Sequence, residues 1–165
     1  MYRIFKPIIY SIIIYMISLT VFISVLIIFN TLPIKIDSRI SLNLIRFVYL
    51  VPLPLYLFAG YKYGLKHFIL DIFSISLISI FGIVLWSYRF TTYSGGLTGL
   101  IPKELSHTFI SVNVFYLPSI MMSMSVGWVK NTPLHVLINV ILPSALFLIG
   151  SLIKCFFASS IHKDK

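Results

Sequence analysis

The chain has 165 residues, of which 59% are Ala, Val, Ile, Leu, Met, Phe, Trp, Tyr or Cys and only 10% are charged. Soluble domains are about 45–50% apolar and about 25% charged, so this composition, with a mean hydropathy of +1.02, excludes a soluble globule; disorder is excluded too, because it requires low hydrophobicity and high charge. The net charge is +9, but the Lys and Arg residues stand singly or in pairs between apolar runs, as they do beside membrane spans, so membrane lipid is the expected partner and nucleic acid is not.

Residues 8–29 carry no charge and number 22, about 33 Å of helix against a hydrocarbon core of about 30 Å. Arg3 and Lys6 precede them as in a signal peptide. The run is longer than an h-region and no small-residue cleavage site follows, so a retained first span is expected.

Residues 47–61 are apolar but few, and contain Pro52 and Pro54; extension back to residue 40 gains length and brings in Asn43 and Arg46. Two missing backbone donors near the middle predict a kinked span, with a re-entrant or interfacial segment as the alternative.

Residues 68–88 form the third expected span, with one acid, Asp71, near its start. That position predicts a carboxylate that reaches headgroup water, meets the positive end of the helix dipole and pairs with His67 one turn earlier. The competing reading is a proton relay or cation site.

Between this span and the next, residues 93–99 are Gly-rich, but Gly99 is followed by Leu100 rather than by the Lys-Ser/Thr of a phosphate loop. A flexible connection is expected, with a ligand-gripping or re-entrant loop as the alternative because connections of this length are uncommon.

Residues 109–129 and 134–153 are the fourth and fifth expected spans, joined by a short turn in which Thr132 can cap the last helix and Pro133 can open it. Ser119, Ser123 and Gly127 form a small-xxx-small stripe that predicts close helix packing. In an antiparallel hairpin Ser123 lies level with Asn139, and Ser119 with Ser144. Pro118 and Pro143 fall near mid-membrane and deprive the carbonyls of Val114 and Asn139 of helical donors. Ser119, Ser123, Gly127, Asn139 and Ser144 are therefore read as helix-packing residues, and Asn113, Asn139, Asp71 and His67 as the alternative polar site, such as broken transporter helices provide.

Chemistry beyond packing has little to draw on. With one cysteine, Cys155, neither a disulfide nor a Cys-rich metal site can form. His67, His107, His135 and His162 lack metal-ligand spacing, Met121, Met122 and Met124 read as adaptable packing, and no nucleophile elbow occurs. No catalytic residue, metal or cofactor is expected.

The sequence thus predicts an all-α, polytopic transmembrane helix bundle of one domain, 1–165, with five spans, or four if the Pro-x-Pro segment is re-entrant. Five spans put Arg3, Lys6, Lys62, Lys66 and Lys130 on one side and the other eight basic residues opposite, which favours a cytoplasmic C-terminus. The Ile-, Lys-, Tyr- and Phe-rich composition points to a bacterial cell membrane. The expected function is non-catalytic: an accessory or immunity-type subunit that acts by helix packing with itself or a membrane-protein partner. The alternative is a small transporter or permease subunit built around Pro118 and Pro143.

Overall fold

The computed structural model describes residues 2–31, 38–65, 67–102, 109, 112–127 and 132–161, and these contain helices, turns and no strand. The helices are α1 (Tyr2–Thr31), α2 (Ser38–Tyr49), α3 (Pro52–Tyr63), α4 (Phe68–Phe90), α5 (Leu117–Ser125) and α6 (Pro133–Ile161). Three of them are long and apolar enough to cross a membrane, over Ile4–Val25, Phe68–Phe90 and Pro133–Phe157. They correspond to the first, third and fifth spans expected from the sequence.

The second expected span is broken in two. Pro52 has no N–H to give to the preceding turn and its ring crowds the carbonyl four residues back. The chain responds by tightening to three-residue hydrogen bonds, Leu50 N–H to Phe47 O at 3.1 Å, Val51 N–H to Val48 O at 3.2 Å and Leu53 N–H to Leu50 O at 3.0 Å. Pro52 then opens α3, where its missing donor costs nothing. Each half has 12 residues, about 18 Å of helix and short of a bilayer's width.

α3 and α6 make the closest crossing in the bundle. A Cβ on Gly60 would collide with the Phe147 carbonyl oxygen, and one on Gly150 with the Leu57 carbonyl oxygen. Bare glycines on both helices let the backbones touch, and Ser151 Oγ uses that approach to donate to Gly60 O at 2.9 Å. In lipid, such packing and interhelical bonding stand in for the hydrophobic drive between helices.

α4 runs antiparallel to α6. Trp86 Nε1 donates to Pro133 O at 2.8 Å, Ser79 Oγ to Val140 O at 2.9 Å, and Ser144 Oγ to Ile75 O at 2.9 Å. At the opposite end of α6, Lys154 Nζ donates to Lys62 O at 3.3 Å. α1 starts near that same end: Tyr10 packs on Phe147 and Phe22 on Tyr49, with ring centroids 6.2 and 6.1 Å apart. Lys62 and Lys154, which five spans would separate, therefore sit together.

The fourth expected span is interrupted within its described residues. Phe109 is buried beside Trp86, Ile101 and Val136, at the end where α4 finishes and α6 begins. A short helical stretch over 112–115 leads to a break at Tyr116, and α5 has only nine residues, with Pro118 in its first turn. In this antiparallel pair the Ser79–Val140 bond puts Ile78 level with Ile141, two residues or about 3 Å from Asn139. Tyr116 Oη donates to Ile78 O at 2.7 Å and Ser123 Oγ to Asn139 Oδ1 at 2.6 Å, so the two ends of residues 116–123 are anchored at levels about 3 Å apart. Thr132, next to Pro133, lies at the same end of the bundle as Phe109. Pro143, by contrast, lies inside α6 without interrupting it, so of the two expected breaks only that near Pro118 is present.

Candidate functional site

Where the chain breaks at Tyr116, the bundle leaves a cavity of about 530 Å³. α1 supplies Ile8, Ser11, Ile12 and Tyr15, α3 supplies Tyr56, α4 supplies Leu77, Ile78 and Phe81, and Val114, Phe115, Tyr116 and Pro143 close the rest. The break creates the space, because a continuous helix through 109–125 would carry side chains past this level in place of a turn. Gly82 matters as well: the Tyr116 ring lies over it so closely that a Cβ there would collide with the phenol.

The inner wall is Tyr56 and Tyr116, both buried, whereas Ile12, Phe81, Val114 and Phe115 are exposed. The cavity therefore opens sideways, between helices, and not along the bundle axis. Leu77 and Phe81 lie about 13 Å from the two ends of α4, so its level is mid-membrane for a helix that spans. Three hydroxyls mark the buried side. Tyr116 Oη is committed to Ile78 O at 2.7 Å. Ser11 Oγ is enclosed by protein and neighbours the Tyr56 hydroxyl without a hydrogen bond of ordinary geometry.

The residues singled out from the sequence lie elsewhere. Ser123 and Asn139 are bonded to each other, and Ser144 is bonded to Ser79 Oγ at 2.7 Å and to Ile75 O. Ser119 is fully buried but its hydroxyl has no hydrogen-bond partner, and it does not meet Ser144. Gly127 corrects the stripe: it stands beyond the end of α5, exposed, at φ +68°, and a Cβ added to it would meet nothing within 4 Å. It ends the helix, and none of the described residues packs against its α-carbon. Asn113 is half-buried and outside the cavity lining.

Asp71 also departs from expectation. It is fully buried, so it does not reach headgroup water. Its carboxylate accepts from Tyr63 Oη at 2.8 Å and from the His67 backbone N–H at 2.9 Å. The His67 link is thus through the main chain, and the imidazole is exposed. The arrangement closes the α3–α4 turn and satisfies a donor at the start of α4.

The Gly-rich loop is built as a cap. Leu97 O accepts the Leu134 N–H at 2.9 Å, Tyr93 Oη donates to Leu100 O at 3.0 Å, and Trp86, Phe90, Tyr93 and Phe109 pack ring on ring. It holds the first turn of α6, whose His135 N–H is also met by Thr132 Oγ1 at 3.3 Å. Glu104, His107 and His162 lie outside the described residues. Among the described residues no three His, Cys, Asp or Glu side chains come together. Met121 is buried while Met124 is exposed, so these two thioethers do not converge.

Sequence reasoning missed Gly60, Gly150, Ser151, Ser79, Tyr56 and Tyr116. For the α3–α6 crossing a signal was present: Ala59-Gly60 and Gly150-Ser151 are pairs of small residues within runs of large ones. Tyr56 and Tyr116 carried none, since a tyrosine inside an apolar run reads the same whether it faces a cavity or a helix. No family model matches the chain, and no curated protein or solved structure is significantly similar to it.

Proposed function

We propose that this is a non-catalytic integral membrane protein of the bacterial cell membrane, an accessory or immunity-type subunit that acts by lateral helix packing with a second copy or a membrane-protein partner. The observation that carries this reading is the outer face of α1. Ile9, Ile13, Met16, Ile17, Ile23 and Ile27, on the face of α1 turned away from the cavity, are all exposed at helical spacing, a ridge about 27 Å long. Inside the bundle, by contrast, Ser79, Ser123, Tyr116 and Ser151 are occupied in bonds between elements. The interior holds the protein together and the outside of α1 is left for association.

In this reading α1, the kinked α2–α3 pair, α4 and α6 cross the bilayer, the segment from Phe109 to Thr132 is re-entrant, and both termini lie on one side. The test is cysteine scanning of residues 9–27 in a Cys155→Ser background, in native membranes. Oxidative cross-links recurring every three to four positions support it. A monodisperse monomer with no adduct at any position overturns it.

A second reading, a transporter or permease subunit, is favoured by one observation, the mid-membrane cavity at the Tyr116 break. Leu77→Trp, which fills the cavity and leaves the α1 ridge intact, separates the two: loss of solute movement supports transport, and unchanged association without any flux supports packing.

A further inference from the structure

We infer that the cavity beside Tyr116 is a binding site for a neutral lipophilic molecule, a hydrocarbon body with one hydroxyl or carbonyl group, admitted sideways from the bilayer. This goes beyond the association proposed above and does not depend on it.

Size and lining set the class. About 530 Å³ falls within the roughly 300–1,000 Å³ of small-molecule sites, which are mostly apolar with a few placed polar groups. The walls are Ile8, Ile12, Leu77, Phe81, Val114 and Phe115, so the body of the occupant is hydrocarbon. The mouth is formed by exposed side chains on α1, α4 and residues 114–115, so entry is from the hydrocarbon phase.

The polar end follows from Ser11 and Tyr56. Ser11 Oγ is shielded from solvent and has no hydrogen-bond partner, and Tyr56 beside it is 3% exposed. An unsatisfied buried hydroxyl costs about 1–3 kcal/mol, and such groups are rare in native structures. A ligand hydroxyl or carbonyl at the inner wall would give the Ser11 hydroxyl its partner, next to that of Tyr56.

Depth then excludes ordinary phospholipid. Its ester groups sit at the edge of the hydrocarbon, about 15 Å from the midplane, whereas Leu77–Phe81 lie at the middle of α4. A phospholipid could bring only its chain end here, which has no polar group to offer Ser11 or Tyr56. A molecule without a charged headgroup can place its one polar atom at that depth.

The experiment uses the full chain in nanodiscs with two photoprobes: hexadecanol carrying a diazirine on its chain, and phosphatidylcholine carrying the same diazirine on an acyl chain. The expected result is saturable labelling by the alcohol at residues 8–15 and 114–116, competed by unlabelled hexadecanol. Ser11→Ala with Tyr56→Phe weakens that competition about three- to ten-fold, the worth of one or two neutral hydrogen bonds. Leu77→Trp, which fills the cavity, abolishes it, and the hydroxyl variants keep the test valid if the Trp variant does not fold. The phospholipid probe labels the exposed helix faces without saturation. Alcohol labelling that is not competed, that follows the phospholipid pattern, or that is unchanged in the hydroxyl variants overturns the inference. So does a cross-link between two copies at Ile12 or Phe115, because a neighbouring protein would then fill the mouth.

Discussion

Lys154 Nζ reaches the backbone carbonyl of Lys62 across 3.3 Å, tying the last turns of α3 and α6 to one end of the bundle. Gly64 makes room for that side chain: a Cβ there would stand 2.7 Å from Lys154 Cδ. Because α1 begins near the same end, two reporters fused to the N- and C-termini are expected to register the same side of the membrane. Phosphatase and fluorescent-protein fusions at each terminus check this. Opposite readings would restore the five-span arrangement.

The Gly60–Gly150 crossing predicts sensitivity out of proportion to the size of the change. Gly60→Ala places a methyl against the Phe147 carbonyl oxygen, and Gly150→Ala places one against that of Leu57. Neither neighbour is a side-chain end that can swing away, so α3 and α6 must separate and Ser151 Oγ loses Gly60 O. Each variant is expected to lose about 1–3 kcal/mol, the usual cost of overpacking. Steric-trap unfolding in bicelles measures it, with the exposed Val84→Leu as a neutral control.

Tyr63 and Asp71 are expected to be coupled. Asp71→Leu leaves the Tyr63 hydroxyl and the His67 N–H facing an apolar side chain, whereas Asp71→Asn keeps an acceptor. A double-mutant cycle with Tyr63→Phe and Asp71→Leu is expected to give a coupling of about 1–3 kcal/mol, with Asp71→Asn keeping most of the stability. A coupling near zero, with Asp71→Leu also well tolerated, would show that the carboxylate does not hold the α3–α4 turn.

Apolar run length made α1, α4 and α6 legible, because a helix long enough to span hydrocarbon must be written as a long uncharged segment. The same criterion selects residues 109–129, whose composition is equally apolar, and gives no sign of the break at Tyr116. A re-entrant segment buried inside a bundle meets the same low-dielectric surroundings as a spanning one, so hydropathy cannot distinguish them. Pro118 carried part of the missing information, since proline breaks the ladder, but Pro143 looks alike in sequence and leaves α6 continuous. The Ser79 bond to Val140 O and the Ser144 bond to Ile75 O brace α6 beside that proline. Such compensation is tertiary and cannot be read from α6 alone. Register arithmetic for the α5–α6 hairpin put Ser123 level with Asn139, and their side chains are joined; it put Ser119 level with Ser144, and theirs are not, because α5 stops and turns.

That difference within the small-residue stripe gives the last prediction. Ser123 donates to Asn139 at 2.6 Å with both residues buried, while Gly127, at φ +68°, lies past the helix end. Ser123→Ala and Asn139→Leu are expected to cost stability non-additively, with a coupling of about 0.6 kcal/mol and at most about 1.7 kcal/mol, the range for hydrogen bonds between membrane helices. Gly127→Ala acts by another route: it adds no contact and costs about 1 kcal/mol through the strained left-handed backbone. Gly127→Leu should then cost little more than Gly127→Ala, because none of the described residues is there to collide with. If Gly127 instead packed against a helix, the cost would climb steeply with side-chain volume. Unfolding free energies of the Ala and Leu variants, compared under one lipid condition, distinguish a backbone turn from a packing glycine.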